Sequence, residues 1–381
     1  MHLMISLFAY DALYTFVLLS QCALFAEMSV KHEDRLRLIK YNQVASVLGN
    51  CSIFITGVVS NNMENLFNLQ LCCIFIAAIS WLFIRYCALN TTTLYDNHIT
   101  PKKQKDSSGS ENGYKIKNHD DEMSFKAACQ ITWQILCNKN FLSFVIMNFF
   151  QVLHQTFGTN FLLIFADHLI PKYALSSFER SFIYGASFIL PQVVIILSGS
   201  IIEKYGSFRI IMATFYAQIF FAIAQYFIGR NHYYFVALYL VLETTLPSIA
   251  ANFTSINIAD VIDEDMAIHN LKLPRSSMIF GTNALVTKPA ISLAPMIVVF
   301  ILNRYDYDSL KESGIIKEEF SSKDAIQPDT IAIDQLHSVM FNFMCYFPIV
   351  LSIIRIFVWN RFQLRSSHKK DAKYADNGEL Y

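Results

Sequence analysis

Five polar residues crowd into one otherwise apolar stretch: Asn148, Gln151, His154, Gln155 and Asn160. Positions 148, 151 and 155 share one face of an α-helix. Such a face cannot point at lipid. Inside a membrane it either walls a solute pathway or makes hydrogen bonds between helices. A second apolar stretch carries Glu243, and a third carries Lys288 within Leu285–Val286–Thr287–Lys288–Pro289. An ammonium there needs a carboxylate, carbonyl groups or water around it, unless its stem carries the charge back to the surface. Glu243 is the expected partner. Asn148, Gln151, His154, Gln155, Glu243 and Lys288 are thus the candidate substrate-pathway residues.

Two more groups sit where apolar stretches end. Gly199–Ser200–Ile201–Ile202–Glu203–Lys204–Tyr205–Gly206, followed by Arg209, combines a glycine for close helix approach with an acid at a helix end and trailing bases. Asp260, Asp263, Glu264 and Asp265 close another stretch. The last two read as a solvated helix end. Gly199, Glu203, Lys204, Gly206, Arg209, Asp260 and Asp263 are the candidate gating residues. No nucleophile elbow, P-loop, dinucleotide fingerprint or paired-histidine metal motif occurs, so neither an enzyme, a metal nor a cofactor is expected. The eight cysteines match no zinc or haem spacing and read as small core residues.

These residues need membrane helices to position them. The 381 residues are 54% hydrophobic and only 16% charged, with 33 phenylalanines. Soluble domains carry about 25% charged residues. The net charge of zero gives nucleic acid nothing to bind. A span needs roughly 20 apolar residues, and about nine stretches qualify. They lie near Leu3–Phe25, Val44–Ser60, Leu66–Tyr86, Phe141–Phe165, Phe182–Ile202, Ile210–Ile228, Tyr233–Ile258, Met278–Leu302 and Val339–Trp359. The expected fold is an all-α polytopic membrane bundle in contact with the bilayer. Residues 1–90 would form one group of three spans and 141–360 a second of six. Residues 91–140 would supply a polar linker and an interfacial segment, and 361–381 a polar tail. Lys and Arg favour the side bearing Lys31–Lys40, the linker, Lys204, Arg209, Lys272, Arg275 and the tail. That basic side is expected to be cytoplasmic, with Met1 outside, the C-terminus inside and the plasma membrane as location.

The segment from Gly199 to Arg209 resembles the loop signature of the major facilitator superfamily, with Glu203 in place of its usual aspartate. Tyr14–Thr15, Ala23–Leu24–Phe25–Ala26–Glu27, Asp34–Arg35, Leu38 and Tyr41 resemble the fourth helix and following loop of the glycoside–pentoside–hexuronide cation symporters. Asp260–Val261–Ile262–Asp263 and Lys288 resemble that family's tenth-helix end and eleventh-helix lysine. A vertebrate branch of the superfamily is similar at Asn140–Phe141–Leu142, Met147–Asn148, Gln151–Val152–Leu153–His154, Phe280–Gly281, Ala284–Pro289 and Ala294–Pro295.

The resemblance implies the major facilitator fold with the first three of twelve helices absent, through a truncated gene model or a true short form. It implies a secondary transporter acting by alternating access on a small polar solute, with sugars the family's substrates and a cation as coupling partner. Leu18 stands where the family has a cation-binding acid, and Asp11 lies about two turns away. Cation coupling of the family's kind is therefore not expected here. The competing expectation is a transporter-like membrane protein that acts through protein partners.

Overall fold

A computed structural model of the chain describes residues 2–29, 31–59, 66–93, 125–171, 174–175, 177–271, 273–304 and 330–364. Among them run eleven helices. In chain order they are α1 (His2–Met28), α2 (His32–Val59), α3 (Leu66–Asn90), α4 (Phe125–Cys137), α5 (Lys139–Leu169), α6 (Ser177–Leu197), α7 (Gly199–Tyr205), α8 (Ser207–Ile228), α9 (Tyr233–Ile268), α10 (Ser276–Asn303) and α11 (Thr330–Trp359). The bundle is all-α, as expected. Of the expected linker and interfacial segment at 91–140, residues 94–124 lie outside the described residues, as does most of the expected tail.

Nine of these helices occupy the nine expected spans. Among the described residues six are long and apolar enough to cross a bilayer on composition alone, or seven if the bent pair α4–α5 is taken as one.

α4 and α5 meet at 87°. The break is at Asn138, whose backbone is extended and whose side chain accepts from the amides of Asn140 and Phe141. This cap satisfies the first free N–H groups of α5 and starts a new helix in a new direction. α4 therefore lies across the bundle end, as its mixture of apolar and polar residues predicts.

α5 and α9 form the centre. α9 packs on α5, α6 and α8, while α10 and α11 cover α5 from other sides. Buried Phe141, Phe144, Phe215, Phe253 and Trp359 fill one end of this core. Phe157, Phe161, Phe165, Met340 and Met344 fill the other. Prolines interrupt four of the helices, at Pro191, Pro247, Pro289, Pro295 and Pro348. Each removes a donor from the turn before it. Pro348 frees the carbonyl of Met344, and the Tyr239 hydroxyl donates to it at 3.1 Å.

The amino-terminal helices attach at two seams, α1 against α10 and α2 against α6. α3 packs chiefly on α2 and buries none of its apolar window. Phe220, Phe227, Leu285, Phe300 and Phe357 are likewise exposed, which is where the excess phenylalanine goes: it meets lipid. The cysteines correct their expected role. Only Cys345 is buried; Cys51, Cys73, Cys87, Cys129 and Cys137 are exposed. A small apolar thiol is as much at ease beside lipid as in a core.

Candidate functional site

The polar stripe of α5 meets a residue that sequence reasoning missed. Arg355 of α11 is fully buried at the bundle centre. Its Nη1 donates to Gln151 Oε1 at 2.6 Å. Its Nη2 reaches His154 Nδ1 and Gln218 Oε1, both at 2.6 Å, and Ser352 Oγ at 2.8 Å. Nε donates to the Leu351 carbonyl, and the guanidinium lies 4.6 Å from the centre of the Phe215 ring. The other nitrogen of His154, Nε2, bonds Glu243 Oε1. The Tyr239 hydroxyl lies 3.4 Å from Glu243 Oε2. Gln151 also donates to the Pro247 carbonyl at 2.6 Å.

The geometry fixes the histidine's chemistry. A guanidinium can only donate, so His154 Nδ1 is an acceptor. The ring proton is then on Nε2, facing the Glu243 carboxylate. A neutral imidazole thus bridges a buried anion and a buried cation. Their attraction, together with the hydrogen bonds, offsets the desolvation of both charges. Gln151 and His154 point into the bundle core, and not into an opening. They tie α5 to α8, α9 and α11. Asn148 donates to Asn283 Oδ1 of α10 at 3.0 Å, and Gln155 is half-buried.

Glu243 is therefore not the partner of Lys288. The Lys288 ammonium donates instead to Asp11 Oδ2 at 3.0 Å and Thr15 Oγ1 at 2.6 Å, both on α1. Residue order hid this pairing, because α1 and α10 are neighbours only through the tertiary fold. The ion pair is partly open, with the lysine side chain 43% and the aspartate 69% exposed. Lys288 lies roughly 18 Å along α10, near its middle.

The candidate gating residues gather at the basic end of the bundle. Arg35 of α2 is buried there, with Nη1 3.2 Å from Asp260 and Nη2 2.9 Å from Asp263. Its Nε donates to the Ser29 carbonyl at 2.8 Å, which aims the fork. Beside this clamp Gln43 donates to Asn252 Oδ1 at 2.6 Å. Lys40 lies 3.7 Å from Glu203 and rests over Gly199, where a Cβ would stand 1.9 Å from the lysine Cε. Gly206 adopts a φ of +78°, which L side chains avoid, and so turns α7 into α8. Lys204 and Arg209 are exposed. Glu264 takes a hydrogen bond from Asn140 at 2.7 Å, whose own Oδ1 accepts from the Gln363 amide. This end thus ties α1–α2 to α5, α7 and α9.

The Gln43–Asn252 contact gives a direct test of the seam. With Gln43→Cys and Asn252→Cys in a background without other thiols, mild oxidation should cross-link them. A protease site placed within 101–123 then leaves the two fragments joined on a non-reducing gel. Separate fragments would contradict the seam.

At the opposite end, Arg230 bonds Asp334 Oδ1 at 2.5 Å and Ser338 Oγ at 3.0 Å. Arg230 and Asp334 border a cavity of about 170 Å³ that His168, Tyr233 and His337 also line.

The family model described as MFS/sugar transport protein covers residues 1–366. Transmembrane protein 180 of Gallus gallus is 26% identical over 374 residues, 97% of this chain and 72% of that protein. Transmembrane protein 180 of Mus musculus is 24% identical over 375 residues, 96% of this chain and 71% of that protein. The chain is thus a multi-pass membrane protein, and it belongs to the MFS/sugar transport protein family.

Proposed function

We propose that this protein moves a small polar solute across the bilayer by alternating access, with sugars the first class to try. The observation that carries this reading is the Lys288–Asp11–Thr15 contact. It sets a partly open ion pair within apolar spans, on the seam between the amino-terminal helices and the rest. A charge at this depth without a task would be costly. Here the ammonium, carboxylate and hydroxyl offer donors and acceptors to a hydroxylated guest. The buried Arg35 clamp supports the second part of the reading: a polar, breakable closure at one end of that seam. The lysine and arginine distribution favours the cytoplasm for that end.

The test is uptake into proteoliposomes of a panel of labelled sugars and other small polar solutes. Saturable uptake by the unmodified protein is expected, with loss of it in Lys288→Ala. The buried network favours a second reading, a transporter-like protein working through partners, because it turns Gln151 and His154 into braces. Failure of the folded protein to take up any solute of the panel would favour that reading.

A further inference from the structure

We infer that α4 carries a pair of S-acylation sites, Cys129 and Cys137, which take long-chain fatty acyl groups and fasten this helix to the membrane surface. Three observations converge. α4 turns 87° from α5, so it runs along the bundle end instead of through the bilayer. Its inner side is apolar and packed, with Ile135 buried and Ile131 and Leu136 against the core. Its outer side carries Cys129, Trp133 and Cys137, all exposed, with exposed Lys126 beside them. Four-residue steps keep the three within an arc of about 80°.

Trp133 is 69% exposed and points away from the bundle. An indole in that position belongs at the headgroup level, where one edge is wet and the other apolar. Exposed Lys126, one turn before Cys129, suits anionic headgroups. Thiols one turn to either side of the indole then lie at headgroup depth, from which an attached chain can drop directly into the leaflet. Of the other exposed cysteines, Cys51 of α2 and Cys73 of α3 lie far along their helices from the basic end, while Cys87 sits at the end of α3 with its thiol 3.2 Å from Thr91 Oγ1.

The donor is a long-chain acyl-coenzyme A on the cytoplasmic side, used by a membrane acyltransferase. In net terms the cysteine thiolate attacks the thioester carbonyl, a new S–acyl bond forms, and the old one breaks. Coenzyme A leaves as its thiolate and takes up the proton lost by the cysteine. Nothing is oxidised or reduced.

The test uses the full chain expressed in cultured cells. Free thiols are blocked, thioesters are cleaved with neutral hydroxylamine, and the thiols released are tagged with a maleimide polymer. One or two hydroxylamine-dependent mass steps are expected. They should vanish in C129S/C137S and persist in C51S/C73S/C87S. No step in the unmodified chain, or steps that survive C129S/C137S, would overturn the inference. A second measurement needs no variant. Trypsin cuts after Lys126 and Lys139, so one peptide, 127–139, contains both cysteines. Mass spectrometry of that peptide should find it acylated; finding it only unmodified would overturn the inference independently of any folding defect.

Discussion

Replacing Arg355 with methionine should lower unfolding stability in detergent by about 3–5 kcal/mol, the usual cost of breaking a buried ion pair from one side. The change leaves the Glu243 carboxylate buried beside His154 and Tyr239 without its guanidinium counter-charge. It also strips donors from Gln151, Gln218 and His154 at once. Arg355→Lys should fall between, since an ammonium keeps the charge but cannot reach five acceptors with a planar fork. Adding Glu243→Gln to Arg355→Met should recover part of the loss, because no net charge then stays buried. The measurement is the thermal midpoint by fluorescence-detected size exclusion. An unchanged midpoint in Arg355→Met, or a double variant worse than the sum of the singles, would mean that the network does not hold the bundle together.

The second large effect is expected at the basic end. Arg35→Glu exchanges a buried guanidinium for a third carboxylate beside Asp260 and Asp263. Attraction becomes repulsion, and the closed arrangement should lose on the order of a hundredfold in population. A cysteine at Asn252 should then react much faster with a water-soluble maleimide from that side, and its cross-link to a cysteine at Gln43 should fall. Adding Asp260→Arg should reverse much of this. Slow labelling in Arg35→Glu would show that apolar packing, and not the ion clamp, keeps the seam shut.

The contrast between Lys288 and Arg355 shows what the sequence can and cannot carry. The helices were legible because a bilayer demands length and apolarity, which are local properties. The bend at Asn138 was half legible: the mixed composition of 125–136 marked α4 as interfacial, while the cap that makes the corner shows only in the structure. The Asp260–Asp263 pair and Arg35 were legible through motif resemblance, although their mutual contact was not. Arg355 escaped because it lies near the end of its span, where a lysine or arginine normally reaches the surface. One signal was available: Ser352 and Arg355 are three apart, so the sole charge of Val339–Trp359 shares a face with a hydroxyl, a polar face that lipid would not tolerate. Glu243 and Lys288 were expected to pair because their spans are consecutive. In the structure α9 gives its carboxylate to α5 and α11, and α10 turns its lysine to α1.

The neutral state of His154 reaches beyond packing. Glu243, His154 and Arg355 together carry no net charge. A transmembrane voltage acts on displaced net charge, at about 2.3 kcal/mol per elementary charge for each 100 mV. The central brace can therefore shift as a unit along the membrane normal at no electrical cost. The clamp at the basic end differs. Arg35 rides on α2 and the two aspartates on α9, so parting them draws one positive charge away from two negative ones. Lys288 and Asp11 part across the same seam, so the charge that moves in the field when the seam opens belongs to these two ion contacts, and the heart of the bundle is electrically silent.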